Sequence, residues 1–308
     1  MSEMSPLVHV VDEVPELHDS PTPLVLVHAL EGFLDAGSAA TLAGAHLAGL
    51  AGSRVIASFD IDSMYDYRGR RPPLVFAEDH YEEYDVPRLT VRTAYDTSGT
   101  PYLLMTGPEP DLRWEAFANA VRSLLQRFGV GLVVGFGSVP MAVPHTRPVL
   151  QTTHSTRPDL VSRPNLWRGK IRVPSSAPAL LELRLGEWGH DAMGFVAHIP
   201  HYLTQVEYPP AAVALIEALS GQTGLAFDTT DLRAAGEERM QQISSQIADS
   251  EEVREIVAGL EQQYDAFQRA SEASLLAGDE SIPTAEELGA EFERFLAGLD
   301  RPEDQPER

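Results

Sequence analysis

The hydrophobic pattern changes character near residue 224. Before that point short, continuous apolar runs alternate with helical stripes; after it only helical spacing remains. Leu24-Val25-Leu26-Val27-His28 is an apolar run of strand length and predicts a strand buried on both faces. A small-residue stretch up to Leu50 predicts a helix able to lie close on a sheet, and Arg54–Phe59 predicts the next strand. That order is a βαβ unit, so the sheet is expected to be at least partly parallel. Residues 89–95 and 102–106 supply two more strands. Pro110-Asp111 is expected to cap a helix in which Trp114, Phe117, Val121, Leu124, Leu125 and Phe128 share one side. A buried strand over 131–136 follows. Ser175 or Ser176 then caps a helix through Leu180, Leu181 and Leu185, residues 193–199 read as a strand, and 208–219 as a closing helix.

Past Gly224 the stripes are Met240, Ile243 and Ile247, then Val253, Ile256, Val257, Leu260, Tyr264 and Phe267. Asp249 with Glu252 resembles a capping box between them, and Thr284 with Glu287 opens a last helix through Leu288, Phe292, Phe295 and Leu299. The chain therefore divides into an α/β core over 1–224, a helical extension over 225–300 and a terminal stretch, 301–308, expected to be disordered.

Composition narrows the function. The 308 residues are 43% hydrophobic and 22% charged, enough to bury a full-sized core. With no cysteine, disulfides, thiolate nucleophiles and Cys-based metal sites are excluded together. No apolar run reaches the roughly 18 residues that span a bilayer, and Met1–Pro6 lacks the features of a signal peptide, so a cytoplasmic protein without membrane contact is expected. A net charge of −23 argues against nucleic acid, whose binding needs arrays of Lys and Arg. Residues 228–308 hold 21 Asp/Glu against 7 Arg, more than half of that charge. Conversely, 145–172 carries Arg147, Arg157, Arg163, Arg168, Lys170 and Arg172 against Asp159 alone.

Three polar loops are candidates for chemistry. Gly32-Phe33-Leu34-Asp35-Ala36-Gly37-Ser38 has phosphate-loop glycine spacing without the Lys that such a loop needs, so tight turning is the simpler reading. Its place after a strand and before a helix nonetheless marks Asp35. The segment 62–73 gathers Tyr65, Tyr67 and several arginines, with Arg71 pinned by Pro72-Pro73 to hold a carboxylate or to serve an interface. Pro144-His145-Thr146-Arg147-Pro148 is the densest, three hydrogen-bonding side chains between two prolines. His198 and His201 form an H-x-x-H that, with His145 and His154, offers four histidines; outside a helix that spacing fixes no metal geometry, and loop histidines are the simpler reading. No G-x-S-x-G supports a serine hydrolase. Neither a cofactor nor a metal is expected.

Taken in order, Gly32–Gly37, Asp62–Pro72, Glu109-Pro110 with Trp114 and Phe117, Pro144–Pro148 and Pro200-His201-Tyr202 resemble the proteasome assembly chaperone 2 family, in its bacterial form with a helical C-terminal extension. The resemblance implies a three-layer α/β/α sandwich like that of phosphorylases and peptidyl-tRNA hydrolases, self-association as homotrimers, and a role in assembling proteasome subunits. Archaeal members of that family dock through a terminal hydrophobic-Tyr-X tripeptide; this chain ends Pro306-Glu307-Arg308, so that docking mode is not implied. Two readings stay open. One is a non-enzymatic, self-associating assembly factor with the acidic tail as partner contact. The other is a small-ligand binder or phosphorylase-like enzyme, with Asp35, Tyr65, Arg71, His145, Thr146, Arg147 and His201 around an anion or nucleoside. There, Asp35, His145 and His201 are the candidate catalytic groups.

Overall fold

A computed structural model describes residues 5–11, 13–17, 23–50, 52–161, 169–248 and 250–277. The expected helix from Thr284, the Asp249 cap, the terminal stretch, Arg163 and Arg168 lie outside them. In chain order the elements are β1 (Val8–Val10), β2 (Leu24–Glu31), α1 (Ala39–Gly49), β3 (Arg54–Phe59), β4 (Val75–Ala77), β5 (His80–Glu82), β6 (Thr90–Tyr95), β7 (Pro101–Pro108) and α2 (Trp114–Phe128). There follow β8 (Val130–Met141), β9 (Gln151–Ser155), α3 (Ala177–Glu187), β10 (Ala192–Pro200), α4 (Pro209–Thr223), α5 (Thr230–Ala248) and α6 (Glu251–Ala277).

Eight strands form one mixed sheet in the order β1-β3-β6-β7-β2-β8-β10-β9, and β4 and β5 form a separate hairpin. Strands β7, β2, β8 and β10 run parallel, while β6, β3, β1 and β9 join by antiparallel pairing. The βαβ expectation is correct in direction but not in adjacency. Two antiparallel steps bring β3 back to the direction of β2, with β7 and β6 between them.

Helices cover both faces, giving three layers. Val27, Ala29, Val134 and Phe136 pack with α1, α4 and α5 on one side; Leu26, Leu103, Met105 and Val133 pack with α2 and α3 on the other. The stripe read from the sequence is the buried face of α2, including Phe117, Val121, Leu124 and Leu125. Ser176 caps α3 by accepting the Ala179 N–H at 3.2 Å. Asp111, however, does not cap α2, which starts from Arg113 in a left-handed conformation. Gly224, also left-handed, ends α4. Beyond it, Leu225, Leu232 and Ile243 still join the core cluster, so α5 lies against the sandwich. Ser250 Oγ accepts the Val253 N–H at the start of α6, at 3.4 Å.

His28 is an exception in an otherwise apolar strand. It is 5% exposed, and its ring lies where a Cβ at Gly135, its partner on β8, would stand, 2.6 Å from Nε2. Only glycine leaves that space. Burial lowers the His28 pKa to about 4, against a small opposing pull from Glu182. Between pH 6.5 and 4 the unfolded chain takes up this proton and the folded chain does not, so stability falls as pH falls. That loss should approach about 3 kcal/mol at the acid end of the window. Burial moves His145, His190 and His198 the same way. Urea denaturation at pH 7 and pH 5 should show a lower midpoint at pH 5, with a smaller drop in His28→Gln; an equal drop in the variant would mean that His28 is not held neutral.

Candidate functional site

Asp35 sits after β2, where the sequence placed it, but both its oxygens are occupied. Oδ1 accepts the Ala40 N–H at 2.8 Å, and Oδ2 accepts the Thr41 hydroxyl, so the carboxylate tethers the first turn of α1. Burial raises its pKa, and these hydrogen bonds oppose the rise. The surrounding turn is latched on two sides. Ser138 on β8 donates to the Leu34 and Ala36 carbonyls at 2.9 and 2.7 Å, and Gly37 exchanges backbone bonds with Thr204 and Tyr208.

In the second loop the carboxylate clamp belongs to Arg70, not to its neighbour. Arg70 grips Asp111 through Nε and Nη2 at 3.2 and 2.7 Å, donates to the Glu109 carbonyl at 2.5 Å, and lies 4.5 Å from the Tyr65 ring centroid. The Tyr65 ring is thus held under a guanidinium. Arg71 is exposed. Glu109 was seen in the sequence only beside Pro110, yet its buried carboxylate spans two segments, accepting from Phe33 N at 2.9 Å and Ala177 N at 2.6 Å. It stands at the N-terminus of α3, where the helix dipole favours a negative charge.

The third loop is the one that the structure fills. His145 is buried. Tyr202 Oη accepts the His145 N–H at 3.0 Å, leaving its own proton for Nδ1 at 2.7 Å, an arrangement that wants a neutral ring. Burial lowers the His145 pKa accordingly, with Glu261 opposing. Thr146 donates to Glu261 on α6. Arg147 meets Asp265 with two parallel bonds of 2.8 Å and Glu261 with a third of 3.3 Å. Tyr264 donates to the Pro148 carbonyl at 3.0 Å. Residues 144–148 are therefore a seat for α6. The anion that a guanidinium between two prolines invites is supplied by the chain itself, 118 residues away.

Of the remaining candidates, His201 is exposed, with its ring beside that of Tyr202 at 5.4 Å between centroids. His198 meets Thr152 at 2.9 Å and His154 meets Glu182 at 2.8 Å, each with a protein partner of its own. Among the described residues no group of three His, Asp or Glu is placed to hold a metal ion. In the basic segment Arg157 pairs with Asp191 and Asp159. The structure thus brings His145, Thr146, Arg147 and His201 to one region around Tyr202, and leaves Arg71 in another loop with no hydrogen bond or ion pair reaching them among the described residues. No helix of the described residues is long and apolar enough to cross a membrane.

The sequence pattern of the PAC2 family matches residues 29–247, and the chain belongs to that family. A Mycobacterium tuberculosis protein of unknown function, Rv2714, is 46% identical, with 88% of this chain and 92% of that one covered and a TM-score of 0.83. A Corynebacterium glutamicum protein of unknown function is 34% identical over 84% of this chain and 97% of that one, at a TM-score of 0.80. Rv2125, described as a proteasome-assembly chaperone homologue of M. tuberculosis, is 28% identical, covers 76% of this chain and 100% of its own, and superposes at 0.70. No curated protein matches the chain.

The seat makes a direct demand on α6. In Glu261→Gln/Asp265→Asn the helix should be cleaved faster by a nonspecific protease, at sites within 251–277, while the sheet stays intact. Equal cleavage rates in the two proteins would show that the clasp does not hold the helix.

Proposed function

We propose that this PAC2 family protein is a self-associating assembly factor of the chaperone type, acting on proteasome subunits through surfaces rather than through a catalytic pocket. The observation that carries the reading is the β4–β5 hairpin. It stands apart from the main sheet and presents Leu74, Val75, Phe76, Tyr81, Tyr84 and Val86, all between 41% and 69% exposed. The Phe76 and Tyr81 rings meet at a tilt of 58° with centroids 5.1 Å apart. Contiguous exposed apolar surface of this kind marks an interface in a soluble protein. The homotrimer implied by the family resemblance would use it.

The placement of the polar loops supports the same reading. An enzyme built from Asp35, Arg71, His145, Arg147 and His201 asks those groups to converge with free polar atoms. Here Asp35 holds a helix, Arg147 is neutralised by α6 and Arg71 lies elsewhere. The clasp of α6 on residues 144–148 gives the acidic extension a defined position on the core, from which it can meet a partner. The relative named as a proteasome-assembly chaperone homologue, and a Pyrococcus furiosus fold relative described as an archaeal proteasome activator, indicate which partners to try.

Sedimentation of the full chain at micromolar concentration should give a mass above the monomer, and Phe76→Ser/Tyr81→Ser should return it to the monomer. Mixed with free proteasome α- and β-subunits, the full chain should co-sediment with one of them. A chain cut after residue 248 keeps α5 and should associate with itself but lose the subunit. A wild-type monomer that ignores both subunits would refute the proposal.

A further inference from the structure

A cavity of about 330 Å³ opens between α1 and the sheet, beside the Asp35 turn and apart from residues 144–148. Its helix side is Thr41, Ala45 and Ala48; its sheet side is Arg88, Thr90 and Arg92. The spacing of the last three explains why they meet it together, because alternate residues of an extended chain share a face. In register, Thr90 lies between Ser58 and Thr106, and Arg92 between Val55 and Leu104. The cavity floor is thus a row of hydroxyls beside a guanidinium. Gly107 makes the approach possible. Its φ is +133°, and a Cβ there would stand 2.1 Å from the Arg88 carbonyl oxygen.

The charges in this cavity are incompletely answered. Arg92 Nη1 donates to Ser53 Oγ at 3.2 Å, but its Nε is buried with no acceptor. A buried guanidinium N–H without a partner is unfavourable, and an entering oxygen would relieve it. Arg88 is exposed at the rim and makes none of the ion pairs formed among the described residues. Glu31 also lines the cavity; burial raises its pKa, Asp35 and Asp85 raise it further and Arg70 opposes them, so its charged form is disfavoured there. In a chain of net charge −23, a cavity lined by two arginines and a single carboxylate is out of keeping with the general surface.

We propose that this cavity binds a small organic anion, with Arg92 taking its carboxylate or phosphate oxygens and a short aliphatic body lying along Ala45 and Ala48. The volume is at the lower end of the range of about 300–1,000 Å³ for small-molecule sites, which limits the ligand to a few carbons. Guanidinium forks match carboxylate and phosphate alike. The Thr90 and Thr106 hydroxyls stand beside Arg92 to donate to the same group. This site is independent of the assembly reading and shares no residue with the α6 clasp.

Calorimetric titration of the full chain, at fixed ionic strength, tests it with two probes, inorganic phosphate and butanoate. At least one should bind at millimolar concentration; phosphate alone would point to a phosphate ester, butanoate alone to a carboxylic acid. Arg92→Gln should weaken that binding by about tenfold or more. Ala45→Phe fills the cavity from an exposed helix position and should do the same without touching a charge, which covers the case of a misfolded Arg92 variant. Arg157→Gln, in a surface ion pair, should bind like the wild type. The proposal is wrong if neither probe binds the wild type, or if folded Ala45→Phe binds as well as the wild type. It is equally wrong if Arg92→Gln alters only the sedimenting mass, since the face would then be an interface between copies.

Discussion

The bidentate pair between Arg147 and Asp265 sets where the helical extension meets the core. It is not a strong adhesive by itself. The two side chains are 31% and 45% exposed, so water and salt screen much of their attraction. Adhesion comes from the apolar stripe of α6, in which Val257 and Tyr264 are buried. The ion pairs choose the register, because a guanidinium fork accepts a carboxylate in few orientations. Arg147, Glu261 and the Tyr264–Pro148 bond together admit one seating of the helix. Residues 251–277 are thereby held on the core in one register.

The same economy of polar groups runs through the loops at the carboxyl ends of the parallel strands. Asp35 is spent on α1, Glu109 on α3 and the Phe33 amide, Asp111 on Arg70, and Ser138 on the turn after β2. The Glu109, Asp111 and Ser138 bonds tie elements distant in sequence, which stiffens the region where α/β sheets commonly hold ligands. What the fold leaves open lies elsewhere. The aromatic hairpin forms a small sheet of its own, and the arginine-lined cavity lies between α1 and the main sheet.

Most of the architecture was legible in the sequence because it rests on local rules. The Leu24–His28 run, the α2 stripe, the Ser176 cap and the Gly224 stop each encode their element in adjacent residues. The misreadings share a cause. A βαβ pattern fixes direction, but nothing local to β3 says that β6 and β7 will be inserted beside β2. Asp111 has the chemistry of a cap and instead found a stronger, charged partner in Arg70. Arg70 and Arg71 are neighbours of identical type, and only the path of the loop decides which faces Asp111. In the densest loop a guanidinium suited to an anion meets one, but an anion of the chain itself rather than a ligand. The identity of that anion depended on a helix more than a hundred residues on, visible only as one acidic stretch among several.

Hydrogen exchange at the amides of residues 145–147 is the most direct probe of this account, comparing the full chain with one ending at residue 248. Removing α6 takes away both carboxylates that hold Arg147, so exchange there should rise sharply, while β8 and β10 keep their protection. Unchanged protection at 145–147 would mean that the loop is held by the core alone, and that the helical extension has no fixed place on it.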